Sequence, residues 1–260
     1  MSEVTTGYAP VNGLKMYYEV HGSGAGGTGA GRPLVLLPGG ASTIELSFGA
    51  VLPGLGDGRQ VIAAELQGHG RTADIDRDMT VAALAGDVAA LLGQLDVDQA
   101  DVLGFSLGGE VALQLALDHP DRVGRMVLVS VGYAPDGLHA EISDPAQHAT
   151  STRMPTAEDF RQMREAYDRL TPGPGPGDFG FLAARGGQAG SRGWTAAELG
   201  RISAPTMLVF GDHDFFRLEH AVEMHALIPG AQLAVLPGAT HMGLMRRADL
   251  MIPLVRDFLG

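Results

Sequence analysis

Hydrophobic and polar positions switch along this chain between a spacing typical of strands and a spacing typical of helices. Near the N-terminus, residues 8–11 and 14–20 alternate between apolar and polar side chains. The two segments flank Asn12-Gly13, a pair that tolerates the positive φ angles of a two-residue turn. This pattern predicts a β-hairpin at the start of the fold.

Further along, short continuous apolar runs replace the alternation, as is typical of parallel strands buried on both faces of a sheet. The predicted strands are Leu34–Leu37, Val61–Ala64, Ala100–Phe105, 125–131, 206–210 and 232–236. Segments of helical periodicity lie between and after them, at 81–95 (with Thr80 as N-cap), 107–117, 217–227 and Ala248–Leu259. Strands that alternate with helices predict an α/β fold, in which a mostly parallel sheet carries helices on both faces.

One long segment, 133–204, has a different character and lacks a long strand signal. It predicts an amphipathic helix at Ala157–Leu170 and a short helix at 194–202 with a capping pair at its start. The alternating Pro and Gly of 171–177 fit neither helix nor strand and predict a loop. The chain therefore divides into this helical insertion and a core formed by 1–132 plus 205–260.

Composition narrows the classes of function. A chain of 260 residues is long enough to bury a sizeable core as one domain. Its formal net charge of −12 disfavours nucleic acid and anionic membranes as partners, and the absence of cysteine excludes disulfides and thiolate chemistry. The N-terminus lacks a signal-peptide pattern and no apolar run approaches the ~20 residues of a membrane span, so we expect a cytoplasmic protein.

A second loop, 23–31, contains only Gly, Ala, Ser and Thr, and we expect it to be a flexible surface loop. A phosphate-binding loop needs a strand in the right place before it and Gly-Lys-Ser/Thr at its end, and this stretch has neither. This glycine-rich stretch therefore does not predict a nucleotide site.

The pentapeptide Gly104-Phe105-Ser106-Leu107-Gly108 lies between a predicted strand and a predicted helix. In this context, a Gly-x-Ser-x-Gly turn holds the serine in a strained backbone geometry and points its side chain out of the sheet. The flanking glycines are required because a Cβ there would collide with the neighbouring strand or helix. Ser106 is therefore the candidate nucleophile.

A serine nucleophile needs a histidine that takes its proton and a carboxylate that orients the histidine. In parallel sheets, ligands bind outside the carboxyl ends of the strands, so residues that follow strand ends are the candidates. Asp212 and Asp214 follow the strand at 206–210, and His241 follows the last strand. Asp136 is a more distant candidate for the acid.

The transition state also needs two preorganised N–H donors for its oxyanion. The backbone N–H of Leu107, at the start of a predicted helix, is one, and Gly40, in the loop after Leu34–Leu37, is the best candidate for the other. His69 and His213 also lie near strand ends. His69 lies between glycines and fits a role in ordering its loop.

Five segments resemble the α/β-hydrolase family and together span nearly the whole chain. They are Leu36-Leu37-Pro38-Gly39-Gly40, Gln67-Gly68-His69-Gly70-Arg71-Thr72, Gly104-Phe105-Ser106-Leu107-Gly108-Gly109, Gly211-Asp212-His213-Asp214 and Gly238-Ala239-Thr240-His241-Met242-Gly243. The resemblance implies a mostly parallel, eight-stranded sheet with a helical cap at 133–204. It also implies Ser106 as nucleophile, Asp214 rather than Asp212 as acid, and His241 as base.

Two positions depart from the family pattern. The chain has Pro38-Gly39 where the family often has His-Gly, which bears on the second oxyanion donor. It has Glu65 where the family often has Asp, and we expect Glu65 to play a structural role in its loop.

Serine chemistry predicts hydrolysis of a carboxylic ester or lactone through an acyl-enzyme, without a cofactor or metal. We expect a small, largely apolar substrate, because apolar residues are available to line a pocket: Phe105, Phe215, Phe216, Met242, Trp194, Phe179 and Phe181. Two alternatives stay open. One is a perhydrolase or C–C bond hydrolase with the same three residues, and the other is a non-catalytic receptor for a small ligand on the same fold.

Overall fold

The computed structural model describes residues 4–22, 31–172 and 193–260 of the chain. Its strands are β1 (Val4–Val11), β2 (Leu14–His21), β3 (Leu34–Leu37), β4 (Val61–Ala64), β5 (Ala100–Phe105), β6 (Val123–Val129), β7 (Thr206–His213) and β8 (Gln232–Thr240). They form one eight-stranded sheet in the order β1-β2-β4-β3-β5-β6-β7-β8.

The predicted hairpin is confirmed. Strands β1 and β2 pair antiparallel, with Asn12 at φ 46° and Gly13 at φ 87° in the turn. Strand β2 also runs antiparallel to β4, and every later pair of neighbours is parallel. The sheet is therefore mostly parallel, with one antiparallel edge.

Helices cover both faces of the sheet. They are α1 (Ile44–Phe48), α2 (Leu52–Leu55), α3 (Val81–Gln94), α4 (Leu107–Asp118), α5 (Ala140–Ser143), α6 (Ala157–Leu170), α7 (Ala196–Leu199), α8 (Leu218–Leu227) and α9 (Ala248–Leu259). Helices α3, α4 and α8 contribute to one buried apolar cluster, and α1, α2 and α9 contribute to a second. Each fully buried Leu or Val of the central strands stabilises the fold by roughly 1.5–3 kcal/mol.

Several predicted strand boundaries were wrong; β1, for example, begins at Val4 rather than at residue 8. Strands β7 and β8 run beyond the predicted ends at 210 and 236, because their pairing continues through a register shift to His213 and Thr240. The predicted loop at 237–243 therefore begins only after Thr240. Strand β6 lies two residues closer to the N-terminus than predicted and ends before Ser130, whose φ is +55°.

Between β6 and β7, the described residues form helices α5, α6 and α7 and short 3-10 turns. The helix predicted at 194–202 is shorter, and its capping pair is Thr195 and Glu198. The division of the chain into a core and a 133–204 insertion stays a prediction. Most of the loops expected at 23–31 and 171–177 lies outside the described residues, as do Phe179 and Phe181.

Across 4–22, 31–172 and 193–260, no helix is both long enough and apolar enough to cross a bilayer.

Candidate active site

The site begins at the sharp turn between β5 and α4. Ser106 has φ 52° and ψ −121°, a left-handed backbone geometry that side-chain-bearing residues rarely adopt. A Cβ on Gly104 would collide with the backbone of Gly108, and one on Gly108 would collide with the backbone of Leu37. The two glycines thus let the strand, the turn and the helix approach closely enough to hold Ser106 in this geometry.

Ser106, His241 and Asp214 form a hydrogen-bonded chain. Ser106 Oγ lies 3.1 Å from His241 Nε2, and His241 Nδ1 lies 2.9 Å from Asp214 Oδ1. With its proton on Nδ1, His241 donates to Asp214, which leaves Nε2 as an acceptor for the Ser106 hydroxyl. The three residues predicted from strand ends are therefore within reach of one another.

Ser130 joins this chain and was missed in the sequence. Its Oγ lies 2.6 Å from Asp214 Oδ1 and 2.6 Å from His241 Nδ1, and the residue is completely buried. The hydroxyl can donate to the carboxylate while it accepts from the imidazole N–H. In the structure, each of these four residues is the first after its strand: Ser106 after β5, Ser130 after β6, Asp214 after β7 and His241 after β8. Ser130 was missed because it lay inside the strand predicted at 125–131.

Asp214 is built to remain a carboxylate. Burial favours the neutral acid, but hydrogen bonds from His241, Ser130 and the Gly211 N–H, together with the attraction of His241, keep the pKa of Asp214 below its usual value. The Phe215 N–H also donates to Asp214 Oδ1 at 2.7 Å. Such a carboxylate stabilises the positive charge of an imidazolium without taking up its proton.

Asp212 connects β7 with β8 and is not part of the hydrogen-bonded chain from Ser106 to Asp214. Its Oδ1 accepts from the Ala239 N–H at 3.1 Å and lies 2.9 Å from His213 Nδ1. The hydrogen bond from His213 and those from backbone N–H groups lower the pKa of Asp212 to about 2. This carboxylate ties β7 to β8, and the exposed His213 is its partner rather than a member of the Ser106 chain.

Two phenylalanines hold the His241 ring. The Phe215 ring is stacked on it, with 3.8 Å between centroids and 3° between planes, and the Phe105 ring lies 5.1 Å away. The imidazole is 4% exposed, so its orientation is set by packing as well as by Asp214. Phe105 is buried beneath the site and is not among the described residues that line the cavity, so its role in substrate binding stays a prediction.

The predicted oxyanion donors lie side by side. A Cβ built on Gly40 would be 3.7 Å from the Leu107 Cβ, and both residues line the same cavity as Ser106. The N–H of Leu107 has no acceptor within its helix, because it belongs to the first turn. The loop before α1 is tied in place by hydrogen bonds of Ser47 to the Gly39 N–H and to the Ser42 hydroxyl.

A cavity of about 470 Å³ opens over Ser106 and His241. Its lining includes three predicted substrate contacts, Phe215, Phe216 and Met242. Trp194 is not among the described residues of the lining, and its role in substrate binding stays a prediction. Its indole is buried against α4, where Nε1 donates to Gln114 Oε1 at 2.9 Å.

Glu110 also lines the cavity and was missed, because its position one turn into a helix carries no motif signal. Its Oε2 is buried and has no hydrogen-bond partner in the part of the chain that the structure describes. Burial raises the pKa of Glu110 to about 7. An acid in this state is uncommon outside functional sites.

Two residues near strand ends have structural roles. Glu65 accepts from the Arg71 N–H at 2.6 Å and from the Arg71 guanidinium at 3.0 Å, as expected for a loop-ordering carboxylate. His69 is completely buried, with Nδ1 2.8 Å from the Gln67 carbonyl oxygen, and burial lowers its pKa.

Comparison with known proteins agrees with this architecture. A family model described as the alpha/beta hydrolase fold matches residues 32–188, more than half of the 260-residue chain. A pimeloyl-[acyl-carrier protein] methyl ester esterase of Neisseria meningitidis is 33% identical over 235 residues, which cover 82% of this chain and 87% of the esterase.

Two further matches show how widely the chemistry varies among similar proteins. The 2-hydroxy-6-oxo-6-phenylhexa-2,4-dienoate hydrolase of Burkholderia cepacia is 26% identical, with 89% of each chain covered. The enol-lactonase of Burkholderia xenovorans has a similar fold, with a TM-score of 0.76 at 24% identity, over 97% of this chain and 99% of the lactonase. By its family match and its eight-stranded sheet, the chain belongs to the α/β-hydrolase fold family.

Proposed function

We propose that this protein is a serine hydrolase that cleaves a carboxylic ester or lactone of a small, largely apolar molecule. The observation that carries the proposal is the hydrogen-bonded chain from Ser106 through His241 to Asp214, at the base of an apolar cavity. The similarity to an esterase of Neisseria meningitidis supports the same reaction class.

In the proposed reaction, Ser106 Oγ attacks the substrate carbonyl carbon while His241 Nε2 takes the hydroxyl proton. The N–H groups of Gly40 and Leu107 stabilise the oxyanion of the tetrahedral intermediate. The intermediate collapses to an acyl-enzyme as His241 returns the proton to the leaving alkoxide. Water, deprotonated by His241, then attacks the acyl carbon and releases the acid and the free serine.

The test compares wild type with Ser106→Ala and His241→Ala on a panel of p-nitrophenyl esters and lactones. We expect each substitution to lower kcat by about 10³-fold or more, because nucleophile and base act as one unit. Ser143→Ala, at an exposed serine, is the matched control and retains wild-type rates. Retained turnover in Ser106→Ala would overturn the proposal, and a wild type without turnover would favour a ligand receptor.

A second candidate is hydrolysis of a carbon–carbon bond with the same residues. The similarity to the Burkholderia cepacia 2-hydroxy-6-oxo-6-phenylhexa-2,4-dienoate hydrolase favours it. The discriminating assay offers that dienoate and the ester panel to the same preparation. A kcat/KM for the dienoate that exceeds every ester would select the C–C reaction, and no turnover of the dienoate would leave the ester reaction.

A further inference from the structure

Glu110 places a lone carboxyl group in a cavity whose wall is otherwise largely apolar. The cavity residues that the structure describes include no Lys or Arg. Glu110 Oε2 is buried and has no hydrogen-bond partner among the described residues, so none of these residues compensates its charge. An uncompensated buried carboxylate is unfavourable, and a bound cation can offset that cost.

The position of Glu110 relates it to the reacting atoms. Glu110 lies four residues after Ser106, and its N–H donates to the Ser106 carbonyl oxygen at 3.0 Å. Side chains on a helix lean toward its N-terminus, so the carboxyl group covers the turn that begins at Ser106. One helical turn rises about 5.4 Å, so Glu110 lies about one turn beyond Ser106, and both residues line the same cavity.

The surrounding side chains fit a cation. Three aromatic residues, Tyr133, Phe215 and Phe216, line the same cavity. Aromatic faces attract cations, most strongly where water is excluded, and a carboxylate supplies the opposite charge. A neutral apolar substrate would offer the Glu110 carboxylate no opposite charge.

We propose that Glu110 determines substrate specificity by binding a cationic ammonium group, carried a few bonds from the scissile carbonyl of the ester. This rests on the proposed function, since Ser106 must act on that carbonyl. The largely apolar walls then bind the remainder of the acyl or alcohol part.

The test uses two isosteric pairs that differ only in charge. On the acyl side, p-nitrophenyl 4-(trimethylammonio)butyrate is compared with p-nitrophenyl 5,5-dimethylhexanoate. On the alcohol side, butyrylcholine is compared with 3,3-dimethylbutyl butyrate. At about pH 8, where the carboxyl is mostly ionised, we expect kcat/KM to favour the cationic member of at least one pair by about tenfold.

In Glu110→Gln, we expect that preference to fall to about twofold or less, because the amide retains shape and polarity but not charge. Glu165→Gln is the matched control, since it removes the same charge from a side chain that is 62% exposed on α6. A wild type that hydrolyses both members equally, or a Glu110→Gln variant that keeps the preference, would overturn the inference while leaving the proposed function intact.

A second readout needs no turnover, so it separates the two proposals. Butyltrimethylammonium chloride is titrated into each protein by calorimetry, with sodium chloride as the ionic-strength control. We expect the ammonium ion to bind wild type and Glu165→Gln, and to bind Glu110→Gln about tenfold more weakly. That result supports the cation site even if no ester is cleaved. Equal binding to all three proteins, or binding to none, overturns it.

Discussion

At the scale of single residues, Ser130 contacts two members of the Ser106 chain at once. Its hydroxyl lies within 2.6 Å of both the Asp214 carboxylate and the His241 imidazole. Asp214 and His241 are therefore held by a third group that does not face the cavity, and Ser130 acts as a positioning residue.

Ser130→Ala and Ser130→Gly test this role together. Loss of a hydrogen bond to a charged group costs about 1.5–3 kcal/mol, so we expect kcat to fall about tenfold or more in both variants while KM changes little. The two variants separate the effect of the Ser130 hydroxyl from that of its backbone geometry, because glycine adopts the φ of +55° without strain and alanine does not. A kcat restored in the glycine variant alone would show that backbone geometry, and not the hydroxyl, matters.

Glu110 predicts a stability that depends on pH. Its pKa is about 7 in the folded protein against 4.5 for an ordinary Glu, so the folded state holds this proton more tightly than the unfolded chain. The stabilisation that this tighter proton binding gives the folded protein is complete below pH 4.5 and is lost as the pH rises toward 7. Relative to wild type, we therefore expect the unfolding free energy of Glu110→Gln to rise by up to about 3 kcal/mol across this range.

Urea unfolding at about pH 5 and about pH 8 measures the effect, with Glu165→Gln as the control of equal charge. We expect the difference in unfolding free energy between Glu110→Gln and wild type to grow with pH. The same difference for Glu165→Gln should stay constant. A difference that is the same at both pH values would contradict the assigned titration of Glu110.

Prediction of single residues from the sequence succeeded where a motif or a strand end marked them. Ser106, Asp214 and His241 are each at such a position, and the structure brings them together. Ser130 follows a strand as well, but a small polar residue after a strand is common and carries no motif. Whether Phe105 and Trp194 face the cavity or the core depends on packing between distant elements, which apolar character alone does not indicate.

At the scale of elements, helix α6 shows how the wall of the cavity is fixed. A capping box joins Thr156 and Asp159 at its start, and Asp159 also pairs with Arg246, after β8. Met163, one turn further along, lines the cavity. The ion pair thus connects the cavity wall to the segment that follows His241.

We expect Asp159→Ala to lower the free energy of unfolding by about 2 kcal/mol and to raise KM more than it lowers kcat. Asp159→Asn keeps an acceptor for the cap but loses the ion pair, so its effect should be smaller. Urea unfolding and steady-state kinetics measure both. Stability within about 0.5 kcal/mol of wild type in Asp159→Ala would contradict the assigned role.

Elements were predictable where local patterns and tertiary pairing agree. The Asn12-Gly13 turn and the buried runs of β3, β4 and β5 follow from local chemistry alone, and their bounds are confirmed. The ends of β7 and β8 do not follow from local chemistry, because residues such as Pro237 and Gly238 weaken the strand signal while the partner strand still pairs.

At the scale of the whole molecule, the net charge of −12 favours the approach of cations to the protein. The field of this charge acts over about 30 Å at 0.01 M salt and about 8 Å at 0.15 M. We therefore expect kcat/KM for the cationic esters to fall severalfold between these salt concentrations, while the neutral isosteres change little. Equal salt dependence of both members of a pair would contradict a role for the overall charge.

The central claim is that Ser106, activated by His241, is the nucleophile, and covalent labelling tests it most directly. Wild type and Ser106→Ala are treated with a fluorophosphonate, and the intact mass and the labelled peptide are determined by mass spectrometry. We predict one adduct per wild-type chain, on Ser106, no adduct on Ser106→Ala, and labelling of His241→Ala slowed by about 10³-fold or more. A wild type that is not labelled, or an adduct on another residue that persists in Ser106→Ala, would contradict the claim.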